Sequence, residues 1–330
     1  MYYRPVIAET GTYVLAGGWA RFDEVEVLAR GQAAQVVAAD TIPADVLARL
    51  TALRAPIMGV PMGVPTVMGI LNVTPDSFSD GGDFAETQIA VPRALEMQSE
   101  GAVFIDIGGE STRPGAAEVP VAEEIARVAP VIAALSDKTD AVISLDTRKA
   151  AVLAAVPQDV LVNDVSAMRF DAGMAEEIAK RGASVCLMHS VADPETMQAH
   201  AAYDDVLLDV YDHLAERIAH AAAAGISRDR IIVDPGIGFG KTLDHNLALI
   251  RGLSLFHGLG CPILLGASRK RFIGTLGHAP AAKDRMGGSL AVALEGVRQG
   301  VQILRVHDTF ATKQAIDLQM AVRKTGDYDT

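Results

Sequence analysis

The sequence has few cysteines, few aromatic residues and no long uninterrupted apolar run. Its 330 residues include two cysteines, Cys186 and Cys261, and 5% aromatic residues. Both cysteines lie within apolar runs and lack the spacing of metal ligands, which favours small buried side chains. No apolar run is long enough to cross a bilayer, and the N-terminus lacks the basic start and apolar stretch of a signal peptide. We therefore expect a soluble, cytoplasmic protein.

Positive charge is also scarce. Lysine and arginine together number 29, against 41 aspartates and glutamates, which gives a formal net charge of -12 at pH 7. This balance argues against nucleic acid or an anionic membrane as a general partner. If the substrate is an anion, the basic side chains that bind it must be concentrated locally.

Beyond residue 66, short apolar runs alternate with amphipathic stretches of helical periodicity. The predicted strands are 67–72, 103–108, 142–146, 160–164, 184–189, 231–234, 263–267 and 303–307. The predicted helices are 87–100, 122–135, 149–155, 172–181, 204–224, 244–256, 285–299 and 309–323. About eight strand–helix units in roughly 260 residues predict an α/β fold, a closed (β/α)8 TIM barrel over residues 61–330. A doubly wound sheet is the alternative, but it would leave strands in excess.

Residues 1–60 differ from the rest of the chain and form a predicted N-terminal extension. Residues 12–15 and 22–28 predict short strands, and residues 43–53 predict a short helix. The three prolines and two glycines of residues 55–65 indicate a linker to the barrel. The extension carries no chemical motif, so we favour a role in packing or in oligomerisation.

Polar side chains follow the predicted strands at their carboxyl ends. They are Asn72, Asp106, Asp146, Asn163, Asp164, His189, Asp234, Ser268, Arg269, Arg305 and His307. A single residue of this kind would be a helix cap or a turn. Because the carboxyl ends of all the strands in a barrel converge on one face, the recurrence at every strand predicts a ligand pocket there.

The loops after the first two strands are rich in glycine and polar residues. Residues 74–82 read TPDSFSDGG, with Phe78 as the one aromatic residue, and residues 108–115 read GGESTRPG. Glycines let a ligand approach the backbone closely, and Arg113 offers a planar fork for phosphate oxygens. On this evidence alone, a solvated arginine is an equally good interpretation.

Residues 234–242, DPGIGFGKT, look like a phosphate loop at first sight. A P-loop would require a glycine where Pro235 stands, so nucleotide hydrolysis is excluded. Asp146 and Asn163 suit a heterocycle with an amidine-like edge, although they equally suit helix caps. Asp234, with glycines after it, suits recognition of a flat ring. The histidines lack ligand spacing, so we expect no zinc site.

The last two strands are followed by basic residues, in the segments SRKR at 268–271 and RVHD at 305–308. A basic run of this kind is by itself more often a solvated surface. Loops after the seventh and eighth strands of barrel enzymes commonly bind phosphate, and this position favours an anion site.

Four segments together resemble the dihydropteroate synthase family: NVTPDSFSDGG at 72–82, GGESTRPG at 108–115, DPGIGFGK at 234–241 and SRKRFIG at 268–274. The resemblance runs from about residue 66 to residue 308. It implies a (β/α)8 barrel that joins p-aminobenzoate to 6-hydroxymethyl-7,8-dihydropterin pyrophosphate, and that releases pyrophosphate and 7,8-dihydropteroate. It also implies Mg²⁺ as cofactor and a homodimer.

The resemblance also implies roles for individual residues. Asp146, Asn163 and Asp234 would bind the pterin edge, while Lys270 reaches its carbonyl side and Arg305 stacks on the ring. Asn72 would hold Mg²⁺ and the pyrophosphate, which Arg113 and His307 would also bind. The residues implied for the p-aminobenzoate pocket are Phe78, Thr112, Pro114 and Phe239, and those that complete the substrate site are Met188 and Gly266. Arg271 stands where some family members carry a serine near the p-aminobenzoate carboxylate.

The expected chemistry is a dissociative substitution without a covalent enzyme intermediate. The residues implied as catalytic are Asp146, Arg113, Lys270, Arg305 and His307. Because the amine of p-aminobenzoate is already a competent nucleophile, no activated serine, cysteine or lysine is needed. Two alternatives stay open: a pterin-dependent methyltransferase of the related barrel family, and a catalytically silent barrel that binds pterin or a protein.

Overall fold

The computed structural model describes residues 1–74, 83–112, 115–192 and 196–323, without the side chains of residues 83–86, 198 and 199. Phe78, Arg113 and Pro114, which the sequence assigns to the site, lie outside the described residues.

The N-terminal extension contains an antiparallel sheet. Its central strand β3 (Arg21–Leu28) pairs along one edge with β1 (Tyr2–Ala8), and along the other with β2 (Tyr13–Val14) and β4 (Gln35–Ala38). Helix α1 (Ala44–Thr51) covers the apolar face of this sheet. The sequence prediction missed β1, which contains Pro5. Proline has no backbone N–H to donate, but it is tolerated here because β1 is an edge strand.

The rest of the described chain forms an eight-stranded parallel sheet. In chain order, its strands are β5 (Thr66–Asn72), β6 (Ala102–Gly108), β7 (Val142–Asp146), β8 (Leu161–Asp164), β9 (Ser184–Met188), β10 (Ile231–Asp234), β11 (Leu264–Leu265) and β12 (Ile303–Val306). The spatial order is β10-β9-β8-β7-β6-β5-β12-β11, and a parallel bridge from Val233 to Ile263 joins the two ends. The predicted (β/α)8 barrel is therefore confirmed.

Helices flank the strands on the outside. They are α2 (Asp83–Ser99), α3 (Val121–Leu135), α4 (Ala150–Ala155), α5 (Met174–Arg181), α6 (Val206–Ala223), α7 (Leu243–Arg251), α8 (Arg271–Leu276), α9 (Met286–Arg298) and α10 (Thr309–Arg323). The sequence prediction missed α8, which is only six residues long.

The helix predicted over residues 244–256 was too long. Helix α7 ends at Arg251, and a separate 3-10 helix follows at Leu253–Leu259. Gly252 separates them at a close contact, where a Cβ would lie 2.5 Å from Cδ1 of Leu207. The apolar periodicity runs on across this glycine, which is why the sequence pattern did not reveal the break.

The end of the barrel opposite the carboxyl ends of the strands is filled by apolar side chains. Those from the strands are Met68, Phe104, Leu161, Cys186, Ile232, Leu264 and Ile303. Ile57 and Met62 pack among them and are almost completely buried. The segment 55–65, predicted as a linker, therefore also closes this end of the barrel.

The N-terminal extension packs against the barrel through specific contacts. Trp19 Nε1 donates to the carbonyl oxygen of Val297 at 2.7 Å, and Ser254 Oγ donates to that of Pro5 at 2.9 Å. The rings of Tyr2 and Tyr211 meet edge to face, 5.4 Å apart. These contacts join the extension to α6, α9 and the 3-10 helix. Within the described residues, no helix is both long and apolar enough to span a membrane.

The turn after β10 depends on a glycine. Gly236 has φ +68°, and a Cβ built on it would lie 1.9 Å from the carbonyl oxygen of His189. Gly31 has nearly the same φ, +70°, but its Cβ would meet no atom within 4 Å. Both glycines therefore have a left-handed backbone conformation, but of the two only Gly236 lacks room for a Cβ.

We predict that Gly236→Ala is more destabilising than Gly31→Ala. The left-handed conformation should cost each variant about 1–2 kcal/mol, and the clash with His189 should cost Gly236→Ala a further 1–3 kcal/mol, roughly. Urea unfolding of the two variants and the parent protein measures the difference. Equal unfolding free energies for both variants would show that the backbone at residue 189 moves freely.

Candidate active site

A buried ion triad lies at the carboxyl end of the barrel. We use this name for Asp106, Asp146 and Arg305, which come from β6, β7 and β12. Arg305 Nε donates to Asp106 Oδ2 at 2.5 Å, and its Nη2 donates to Asp146 Oδ2 at 2.8 Å. The side chains of Asp106 and Asp146 are 0% and 5% exposed, and that of Arg305 is 19% exposed. One guanidinium therefore neutralises only one of two buried carboxylates.

Asp106 holds further groups of the site in place. It accepts hydrogen bonds from Ser144 Oγ at 2.5 Å and from Asn163 Nδ2 at 3.1 Å. The sequence reasoning noted Asp106 at a strand end but gave it no role. The available signal was the alternation along β6, which places Phe104, Asp106 and Gly108 on the same face, toward the barrel interior.

Asp146 has one carboxylate oxygen without a partner. Oδ2 accepts from Arg305, whereas Oδ1 is buried and has no hydrogen-bond partner among the described residues. Burial, together with the neighbouring carboxylate of Asp106, raises the pKa of Asp146 to about 8. A buried oxygen of this kind costs about 1–3 kcal/mol while it lacks a donor, so Asp146 is suited to accept a hydrogen bond from a ligand.

A second group of predicted residues lies beside the triad. Lys270 Nζ donates to the carbonyl oxygen of Ile237 and lies 4.5 Å from the centre of the Phe239 ring. Burial lowers the pKa of Lys270 to about 7, against the opposing effect of Asp234. Burial also raises the pKa of Asp234, whose Oδ1 accepts from the backbone N–H of Gly236 at 2.7 Å.

Gly266 leaves space between the two groups. A Cβ built on this residue would lie 3.5 Å from Asp234 Oδ2 and 3.9 Å from Cδ of Arg305. Met188, at the end of β9, is buried and borders the turn at Gly236. The structure thus brings Asp146, Asn163, Asp234 and Arg305 to one face of the barrel, as their positions at strand ends predicted. The same face holds Lys270, Gly266 and Met188, which the family resemblance implied.

Asn72, Thr112 and His307 lie around this face, and all three are partly exposed. Asn72 ends β5, Thr112 follows β6, and His307 follows β12. The Nδ1 atom of His307 lies 3.0 Å from Ser268 Oγ.

The loop that contains Thr112 is tied down at both of its ends. Glu110 accepts from the backbone N–H of Val119 at 3.0 Å and from Arg148 Nη2 at 2.5 Å. Lys149 Nζ bonds to Glu110, and it donates to the carbonyl oxygen of Val119 at 2.5 Å and to Glu124 Oε2 at 2.8 Å. These buried ion pairs anchor the loop to the turn that follows Asp146. The sequence analysis predicted no such ion pairs for this loop.

His189 serves a structural purpose. Its Nδ1 lies 2.9 Å from the Nζ atom of Lys241, which also donates to the carbonyl oxygen of Phe239 at 2.9 Å. Burial and the nearby Lys241 hold the pKa of His189 well below its ordinary value. His189 thus stays neutral and anchors the loop of Phe239.

Among the residues that the structure describes, no group of three or more histidines, cysteines, aspartates or glutamates could hold a metal ion. From the described part of the chain, a metal at this face would take ligands of another kind, such as the amide oxygen of Asn72 and the oxygens of a bound substrate.

Comparison with known proteins places this geometry in a family. A family model described as pterin binding enzyme matches residues 68–307. The dihydropteroate synthase of Escherichia coli (strain K12) is 46% identical over 254 residues, which cover 76% of this chain and 89% of that protein. The N-terminal extension lies outside the family model.

Solved structures agree with the sequence comparison. The dihydropteroate synthase of Xanthomonas albilineans with 4-aminobenzoic acid has a TM-score of 0.76 and 42% identity, over 83% of this chain and 99% of that one. The same enzyme in complex with 7,8-dihydropteroate has a TM-score of 0.73 and 40% identity, over 83% of this chain and 100% of that one. The matched region contains every described residue of the ion triad and its neighbours, and the chain belongs to the dihydropteroate synthase family of pterin-binding enzymes.

Proposed function

We propose that this transferase condenses p-aminobenzoate with 6-hydroxymethyl-7,8-dihydropterin pyrophosphate, giving 7,8-dihydropteroate and pyrophosphate. The observation that carries the proposal is Oδ1 of Asp146, which is buried beside Asp106 and Arg305 and has no partner in the described part of the chain. A pterin presents adjacent ring and amino N–H groups, and these match a buried carboxylate oxygen that lacks a donor. The Xanthomonas relatives with 4-aminobenzoic acid and with 7,8-dihydropteroate support the same substrates.

The pterin lies, in this proposal, between the ion triad and Asp234. Asp146 and Asn163 accept from and donate to its polar edge, and Asp234 binds the same edge from β10. Lys270 reaches the carbonyl side. The guanidinium of Arg305, held flat by two carboxylates, stacks on the ring in the space that Gly266 leaves open.

The proposed chemistry separates charge along the site. Departure of pyrophosphate from the pterin methylene leaves a resonance-stabilised cation, which the surplus carboxylate charge of the ion triad stabilises. His307, together with Arg113 outside the described residues, neutralises the departing anion. The neutral amine of p-aminobenzoate then forms a bond to the methylene carbon and loses one of its N–H protons to solvent. Thr112 and Phe239, with Phe78 and Pro114 outside the described residues, form its pocket.

Mg²⁺ fits the polar groups at this face. Mg²⁺ prefers oxygen ligands and usually keeps several waters, and it binds through one or two protein groups plus substrate phosphates. Asn72 is a partly exposed amide at the end of β5 and meets this requirement as a single protein ligand. When bound, the metal would neutralise charge on the pyrophosphate oxygens.

A homodimer is the proposed assembly. Phe310, Leu318 and Val322 are 62%, 66% and 77% exposed, and they lie within about a third of the circumference of α10. Apolar residues grouped in this way mark an interaction surface more often than a solvated one. The proposal also includes a cytoplasmic location and a domain boundary near residue 60.

The proposed reaction predicts pyrophosphate release that depends on Asp146. Purified protein with pterin pyrophosphate, p-aminobenzoate and Mg²⁺ should release pyrophosphate, followed with a coupled phosphate assay. Asp146→Asn should lower kcat/KM about 100-fold or more, because the charge that stabilises the cation is lost. Asp137→Asn, in the exposed turn after α3, is the control and should match the parent. The proposal fails if the parent protein releases no pyrophosphate.

Pterin binding is predicted to release a proton from Asp146. In the free protein the pKa of Asp146 is about 8, and pterin N–H donors favour the carboxylate and so lower it. Affinity for 6-hydroxymethyl-7,8-dihydropterin should therefore be constant above about pH 9 and fall toward tenfold per pH unit below pH 8.

Calorimetry in two buffers of different ionisation enthalpy measures this proton directly. At pH 7 the parent protein should release most of one proton per pterin bound, and close to none at pH 9.5. The Asp146→Asn variant removes the titrating group but leaves any proton change of the ligand itself. Equal proton release by the two proteins would contradict the assignment.

The dimer is predicted to depend on the apolar face of α10. Leu318→Glu places a charge in that face and should shift the protein from dimer to monomer in sedimentation velocity at micromolar concentration. Val36→Glu, at a 57% exposed position of β4, is the matched control and should stay dimeric. A monomeric parent protein would contradict the proposed assembly.

A further inference from the structure

Two consecutive residues after β11 pair with two consecutive residues after β12. Ser268 Oγ lies 3.0 Å from His307 Nδ1 and accepts from the backbone N–H of His307 at 3.3 Å. One residue further on, Arg269 Nε donates to Asp308 Oδ2 at 3.0 Å, and its Nη2 donates to Asp308 Oδ1. This two-pronged bond is the geometry in which arginine binds a carboxylate most strongly. These hydrogen bonds therefore hold the loop after β11 beside the loop after β12.

The backbone of Arg269 is held in an unusual conformation. Its φ is +57°, in the left-handed region that non-glycine residues seldom adopt. The start of α9 supports it on both sides. The backbone N–H of Arg269 donates to Ser289 Oγ at 2.9 Å, and its carbonyl oxygen accepts from Arg285 Nη1 at 2.9 Å. Such a conformation persists only where its surroundings determine it, and it recurs at functional sites.

The neighbouring side chains of Arg269 and Lys270 make different contacts. Lys270 contacts Ile237 and the Phe239 ring inside the site, whereas Arg269 contacts Asp308. The basic run that the sequence places at 268–271 thus includes one arginine whose charge is already neutralised.

Asp308 is used in an unexpected way. It directly precedes α10, at a position where aspartate normally caps the helix with its side chain. Here both carboxylate oxygens accept from Arg269, and the backbone carbonyl of Asp308 accepts from the N–H of Thr312 at 3.0 Å. The first turn of α10 is thereby fixed to the loop after β11.

We infer that Arg269 and Asp308 are positioning residues for the pyrophosphate group of the substrate. Their ion pair keeps His307 and Lys270 at a set separation, and neither member of the pair contacts the pyrophosphate itself. The inference rests on the proposed function, because it takes His307 as a pyrophosphate ligand. The competing account is that Arg269 binds the pyrophosphate directly.

Two single variants distinguish these accounts, because the accounts predict opposite changes in pyrophosphate affinity for Asp308→Asn. If the pair positions His307, both Arg269→Gln and Asp308→Asn should weaken binding of inorganic pyrophosphate, measured by calorimetry with Mg²⁺, about tenfold or more. If Arg269 binds pyrophosphate directly, Asp308→Asn should tighten binding, because it frees the guanidinium from its carboxylate. Tighter binding, or unchanged binding in both variants, would overturn the inference.

Pterin binding shows whether a variant keeps the rest of the site. Both variants should bind 6-hydroxymethyl-7,8-dihydropterin, which carries no pyrophosphate, with the affinity of the parent protein. Loss of pterin binding as well would mean that the pair supports the whole site, and the inference would be wrong. Arg269→Lys keeps the charge with a single point of contact and should recover part of the pyrophosphate affinity.

A matched control exists on the surface of α9. Arg298 binds Glu295 with the same two-pronged geometry, at 2.7 and 2.6 Å, and Arg298→Gln should leave pyrophosphate binding unchanged. Turnover provides a second reading: in both test variants KM for the pterin pyrophosphate should rise while KM for p-aminobenzoate does not. Failure of the proposed function would appear in the parent protein, as absent pyrophosphate release, whereas failure of this inference appears in the variants.

Discussion

The ion triad of Asp106, Asp146 and Arg305 is the interaction on which the candidate site depends. It joins three strands across the barrel interior, and Asp106 also orients Asn163 and Ser144. Charges buried together interact strongly because little water screens them, but their desolvation is costly unless each charge is paired. With two carboxylates and one guanidinium, pairing is incomplete. Burial, together with this incomplete pairing, raises the pKa of Asp146, and the same incomplete pairing suits Asp146 to bind a ligand donor.

The interior of the barrel is layered, and the charged side chains of the triad lie above an apolar layer. Strand β6 shows the arrangement: Phe104 belongs to the apolar layer that Ile57 and Met62 help to fill, and Asp106 lies two residues nearer the carboxyl end. The same alternation that builds the core therefore points the site residues inward. Because protein interiors are closely packed, the apolar layer beneath the triad supports its side chains, including Oδ1 of Asp146, which has no partner among the described residues.

The sequence predicted the barrel and the face on which its polar residues gather, because strand periodicity and residue type are local properties. It did not predict the pairing of Arg269 with Asp308, the burial of Glu110 with Lys149, or the central place of Asp106. Each of these is a contact between residues distant in sequence; Asp106 and Arg305, for example, are 199 residues apart. The sequence also missed α8 (Arg271–Leu276), which begins inside the basic segment 268–271 that was assigned to a loop.

Charge is distributed unevenly over the candidate site. The basic residues after β11 and β12 supply less free positive charge than their number indicates, because Asp308 neutralises Arg269 and burial lowers the pKa of Lys270 to about 7. The site is therefore polarised. When Asp146 is ionised, the centre carries surplus negative charge at Asp106 and Asp146, and His307 lies toward its edge. Such a gradient stabilises a cation at the centre and an anion leaving toward the edge, which is the charge separation that the proposed reaction requires.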